Sequence, residues 1–178
     1  MSKHINQTEP ITRVAAKIPA LQDATSEVDN AAAAALSVNL TDLHCLAILV
    51  RVESVSAGAL AEQLRLTRGA MTVVLDRLAR AKLAERRGDP ADRRSVLVAA
   101  TASAKRRVQE IWKPIEQEGI AVLSDYSQRD LAIIEDFLDR ARAVQVKHAE
   151  RIRTLHKGQT GKRASAKRVK PRRPRAKE

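Results

Sequence analysis

Aromatic side chains are almost missing from this chain, with one Trp, one Tyr and one Phe in 178 residues. The core must therefore be filled by Ala, Val, Leu and Ile, which suits closely packed helices. The same scarcity argues against binding RNA or single strands, where bases stack on rings. Cysteine occurs once, as Cys45, so no disulfide can close within the chain and a reducing compartment is expected. No uninterrupted apolar run approaches about 18 residues, the minimum for a membrane-spanning helix. Residues 1–12 lack the charged-then-apolar layout of a secretory signal. The expectation is a cytoplasmic protein with no membrane partner. There is no Gly-rich phosphate loop, Ser nucleophile elbow or paired-carboxylate constellation. His4, His44, His148 and His156 are too scattered to complete a zinc site with a single cysteine. The chain is not expected to be an enzyme, and no metal or cofactor is expected.

What is abundant is positive charge, +12 from 33 Lys and Arg against 21 Asp and Glu. Residues 157–178 carry ten Lys or Arg and one acid, which is +9 and leaves +3 for residues 1–156. Within that body, basic residues gather between positions 65 and 94 and again at Lys105, Arg106 and Arg107. A basic stripe followed by a basic tail favours a polyanionic partner.

Residues 1–18 read as a partly ordered N-terminal arm, because Pro10 and Pro19 fit a first helical turn but not a helix interior. Residues 19–37 then read as helix, with Leu21, Val28, Ala31, Ala32, Ala35 and Leu36 on one side. Thr41 is placed to cap a second helix to about residue 52, Ser56 a third to residue 64, and Thr67 a fourth to residue 82. Only Arg65 and Leu66 separate the third and fourth, which is the helix-turn-helix pattern. Two short strands, residues 83–87 and 95–99, flank a turn-rich basic stretch and predict a β-hairpin. A helix over residues 102–124, disturbed by Pro114, follows. Ser127 and Asp130 then make a capping-box-like start to a helix reaching about residue 153. Residues 157–178 cannot bury a core and read as a disordered basic tail.

On a helical wheel, Met71, Val74, Leu75 and Leu78 form a buried stripe. Gly69, Thr72, Val73, Asp76 and Arg80 fall opposite it, with Arg68 and Arg77 on the flanks. One such face locks a recognition helix to its domain and the other enters the major groove, N-terminal turns deepest. Arg68 can reach guanine O6 and N7 together, and Thr72 a thymine methyl or base edge. Gly69 lets backbone approach DNA, while Arg77 and Arg80 suit phosphates. Asp76 either accepts from cytosine N4 or pairs with Arg80 one turn on. In the hairpin loop, Arg93 and Arg94 suit a minor groove. Asp92 either orients one of these arginines or caps the turn.

These residues resemble the MarR family of winged-helix regulators over about residues 20–155. The carriers are Leu60-Ala61-Glu62-Gln63-Leu64, Thr67-Arg68-Gly69-Ala70-Met71-Thr72 and Leu75-Asp76-Arg77-Leu78. Most specific is Asp89-Pro90-Ala91-Asp92-Arg93-Arg94-Ser95-Val96-Leu97-Val98, which is similar to the family's wing motif, with its Asp at Asp92 and its Arg at Arg94. The resemblance implies a homodimer formed by the terminal helices, two wings straddling a near-palindromic site, and control by a small molecule or by oxidation. The chain departs from the family at Ala100-Thr101 and Ala104, where Leu-Thr and a Gly are usual, and at Ala59, where an acid is common.

The expected architecture is mainly α: a winged helix-turn-helix over about residues 41–100 with a β-hairpin wing, and a helical dimerisation lobe from residues 19–37 and 102–155. Together they form a domain over residues 19–156. The expected function is sequence-specific recognition of double-stranded DNA to regulate transcription, through Ser56, Thr67, Arg68, Gly69, Thr72, Val73, Asp76, Arg77, Arg80, Asp92, Arg93 and Arg94. The partners are duplex DNA, a second copy of the chain and a small-molecule effector that the sequence does not identify. The alternative is an architectural DNA-binding protein that uses the basic tail. Cys45, on an apolar helix, reads as a buried thiol rather than an oxidant sensor. His44 reads as a helix-boundary residue rather than a lining of an effector pocket.

Overall fold

A computed structural model describes residues 8–88 and 96–166, with side chains as far as residue 155. The order is α1 (Thr8–Leu36), α2 (Leu40–Arg51), β1 (Val55–Ser56), α3 (Ala57–Gln63), α4 (Arg68–Arg80), β2 (Ala84–Gly88), β3 (Val96–Ala100), α5 (Ala102–Ser124) and α6 (Gln128–Ala166). The mainly α winged-helix architecture is as expected. The chain divides into two compact units, Met1–Gln117 and Glu118–Glu178. Among the described residues no single helix is long and apolar enough to cross a membrane.

The first unit is built on α2, α3 and α4. Leu43, Cys45, Leu46 and Leu49 of α2 meet Leu60 and Ala61 of α3 and the Met71, Val74, Leu75, Leu78 stripe of α4, all buried. Ala32, Ala33 and Leu36 close one side, and Leu83, Ala84, Val98, Ala100 and Ala104 another. The sheet runs β1-β3-β2 and is antiparallel throughout. Ala84 pairs with Ala100 and Gly88 with Val96, and Val55 pairs with Val98 on the far side of β3. The two-residue β1 was not expected from sequence, because two residues cannot display an alternating pattern.

Ser56 and Thr67 cap α3 and α4 as expected, each hydroxyl accepting a backbone N–H at 3.2 Å, from Ala59 and Ala70. The cap of α2 is Asn39 rather than Thr41; its Oδ1 accepts from the Asp42 N–H at 2.9 Å. β2 starts one residue later than expected because Leu83 still belongs to the end of α4, donating its N–H to Leu78 O. That bond is part of a Schellman closure, in which the residue after the cap takes a left-handed conformation. α1, α3 and α4 all end this way, with Ser37 (φ 57°), Arg65 (φ 54°) and Lys82 (φ 59°) in the left-handed position.

Two terminal expectations are corrected. The N-terminal arm is helical from Thr8 onward, with Pro10 in the first turn and Pro19 inside α1. A proline removes one helical hydrogen bond, and the strong helix formers around Pro19 carry the helix through it. At the other end, α6 continues past residue 153 to Ala166. Lys, Arg, Gln and Ala favour helix even where nothing apolar is available to bury. Residues 167–178, the rest of the expected basic tail, lie outside the described residues.

The wing joins α5 through Thr101. Its Oγ1 donates to Lys82 O at 2.8 Å and accepts from the Ala104 N–H at 3.1 Å. Ala104 itself is fully buried, so this departure from the family pattern is absorbed by packing. In the second unit, α6 begins with the expected Ser127–Asp130 exchange: Asp130 N–H to Ser127 Oγ at 3.2 Å, and Ser127 Oγ to Asp130 Oδ2 at 2.6 Å. Ile120, Ile133, Phe137, Leu138 and Val144 are exposed there.

Candidate nucleic-acid interface

The division of α4 into two faces follows from its sequence and is present in the structure. Met71, Val74, Leu75 and Leu78 are at most 3% exposed, while Arg68, Gly69, Thr72, Val73 and Arg80 are exposed. A side chain placed at Gly69 would meet nothing within 4 Å, so the first turn is open to close approach. Thr72 Oγ1 donates to Arg68 O at 3.0 Å. Its proton is thus engaged inside the helix, and what it offers outward is a lone pair and a methyl group. Val73, 51% exposed, adds an apolar surface beside it. Ser56 and Thr67 hold their places at the N-termini of α3 and α4, with their oxygens engaged in caps.

Two of the expected residues are held by the protein. Arg77 reaches back to α2, where its Nε and Nη2 donate to Asp42 Oδ2 and Oδ1 at 2.8 and 2.6 Å. Asp42 is 2% exposed, and its hydrogen bonds and charge hold the Arg77 guanidinium above its already high pKa. Asp76 does not pair with Arg80. Its Oδ1 takes a bond at 2.7 Å from Arg86 Nη2 on β2. Neither Asp42 nor Arg86 was anticipated. Asp42 had left a signal, since an acid in register with Cys45, Leu46 and Leu49 on a buried face requires a partner. Asp92, Arg93 and Arg94 lie outside the described residues.

Cys45 is fully buried. Its thiol is pushed up to about 11, by burial first and by nearby Asp42 second. A thiol so placed stays protonated and unreactive. His44 is exposed and does not line the cavity of about 230 Å³ between α2 and α5, which is bounded by Leu43, Leu46, Val50, Arg51, Val108 and Trp112.

A buried helix-turn-helix, an exposed second helix and an antiparallel hairpin directly after it define a winged helix-turn-helix of the DNA-binding kind. The sequence pattern of the MarR family matches residues 38–96, from the end of α1 to the start of β3. The uncharacterized HTH-type transcriptional regulator YcgE of Bacillus subtilis (strain 168) is 29% identical over 123 residues, 69% of this chain and 80% of the relative. The winged helix-turn-helix, residues 38–96, is thus similar to that of the MarR family of transcriptional regulators. Its fold is shared with a mutant MepR from a multidrug resistant S. aureus clinical isolate, at a TM-score of 0.59 and 16% identity over 73% of this chain and 95% of that one. NadR, solved in complex with 4-hydroxyphenylacetate, matches at a TM-score of 0.53 and 18% identity over 79% of this chain and 94% of its own.

Proposed function

We propose that this regulator is a homodimer that reads a near-palindromic duplex site through the Arg68, Gly69, Thr72 and Val73 face of α4, and that a small molecule controls it. The observation that carries the reading is the two-sidedness of α4, buried along one stripe and open along its first two turns on the other. Arg68 is assigned to guanine, and Thr72 and Val73 to thymine methyls or base edges. Arg80, which forms no ion pair among the described residues, is assigned to phosphate. Ser56 and Thr67 act through the helix starts they cap, whose N–H groups favour phosphate. From sequence, Arg93 and Arg94 are assigned to the minor groove, supported by Asp92.

Dimerisation is supported by the exposed apolar residues of α1 (Ile11, Val14 and Leu21) and of α6 (Ile133, Phe137, Leu138 and Val144). The cavity between α2 and α5, apolar except for Arg51, suits a small molecule with a hydrophobic body and an anionic group. The ligand in NadR is of that kind. An effector that favours one spacing of the two reading heads would shift the dimer between binding and non-binding forms.

Selection of bound duplexes from a random library tests the reading. Expected is a two-fold site with half-sites about 10 base pairs apart, one helical turn. Recovery without sequence preference would favour the architectural alternative. Arg68→Ala should relax choice at one position per half-site, costing about 1–3 kcal/mol. Gly69→Ala should fold normally, because its methyl meets open space, yet weaken operator binding by obstructing the backbone.

A further inference from the structure

Two consecutive residues of α4 form ion pairs in opposite directions. Arg77 turns toward α2 and the buried Asp42, whereas Asp76 turns toward β2 and Arg86. The first pair is bidentate and its acid is buried; the second is a single contact, with side chains 46% and 50% exposed. A half-exposed pair contributes little to folding, and β2 is already anchored by Leu83 and Ala84 in the core. Yet Asp76 is an acid on a face otherwise suited to a polyanion.

We propose that Asp76 is a positioning residue for DNA recognition, pairing with Arg86 to set the angle between the recognition helix and the wing rather than contacting a base. The inference rests on α4 being the DNA reader. On β2, Ala84 and Arg86 share a face while Glu85 and Arg87 share the other, where Arg87 donates to Glu85 at 2.9 Å through Nε. Arg86 lies two residues beyond the buried Ala84, roughly 7 Å further along the strand toward the wing turn. The pair therefore ties β2 to α4 beyond Ala84, the last buried side chain of β2, at the level where β3 still places Val98 in the core. That point leads into residues 89–95, where Arg93 and Arg94 stand in sequence. A reader in the major groove and a cation in the minor groove can engage one site together only if the connection between them is stiff. The pair also neutralises Asp76, which would otherwise repel phosphate, and leaves Arg80 without that carboxylate.

The test measures binding of full-length wild type, Asp76→Asn, Arg86→Gln, the double variant and the exchanged pair Asp76→Arg/Arg86→Asp to the selected operator and to random duplex. Thermal unfolding is followed in parallel. Each single change is expected to lower the operator-to-random ratio about fivefold, the double change no further, and the exchange to restore it within about twofold. Melting points should stay within about 3 °C of wild type, as for a surface pair. Independent, multiplying losses, or an exchanged pair that fails to restore the ratio, would overturn the proposal. So would a loss confined to one operator base pair, which would make Asp76 a base contact, or a collapse in melting temperature, which would make the pair structural. A wild type with no operator preference would instead overturn the reading of α4 itself.

Discussion

Cys45 shows how one side chain's surroundings decide its chemistry. Buried among leucines and one helical turn from Asp42, it keeps its proton well beyond the usual 9.0, to about 11. Below the unfolded value both states hold the proton and the thiol's contribution is complete. As pH rises toward 11 the unfolded chain releases the proton while the native chain keeps it, so stability falls with pH. Urea midpoints compared at about pH 8 and about pH 10.5 should drop more for wild type than for Cys45→Ala. Equal drops would show that burial of the thiol is not maintained in solution.

At the scale of elements, the strongest single tie is Asp42 to Arg77, which fixes α4 to α2 across 35 positions of sequence. Its two ends are unequal. Asp42 is 2% exposed and the Arg77 side chain 36%. Removing the arginine strands a buried carboxylate. Removing the acid leaves a guanidinium that can turn to water. Arg77→Met should therefore lower the denaturation midpoint more than Asp42→Asn; the reverse order would mean that Asp42 is reachable by solvent. The buried stripe of α4 was legible in the sequence because it is periodic, and the Ser56 and Thr67 caps because each hydroxyl precedes its own helix. The partners of Arg77 and Asp76 were not, since they are chosen by packing between elements rather than by spacing within one. Asp76 stood one turn from Arg80 in sequence, yet it meets Arg86. The helix ends were likewise hard to place: Ser37, Arg65 and Lys82 occupy positions where glycine is the usual signal.

For the whole molecule, charge is the property that extends furthest. The ten Lys and Arg of residues 157–178, the first of them on α6, should add attraction to any duplex without changing which duplex is preferred. Replacing all ten by Gln should flatten the dependence of binding on salt, by about 0.9 for each phosphate no longer neutralised, and preserve the ranking of operators. A changed ranking would assign the tail a part in reading sequence. The left-handed turns follow the same preference for charge. Glycine would sit in them with less strain, but Arg65 and Lys82 place a cation near either end of α4. Their consequence concerns the encounter rather than the bound state. At physiological salt a field reaches about 8 Å before it is screened, so a duplex read by α4 should be drawn in and turned before any groove is entered, and replacing both cations by Gln should slow association.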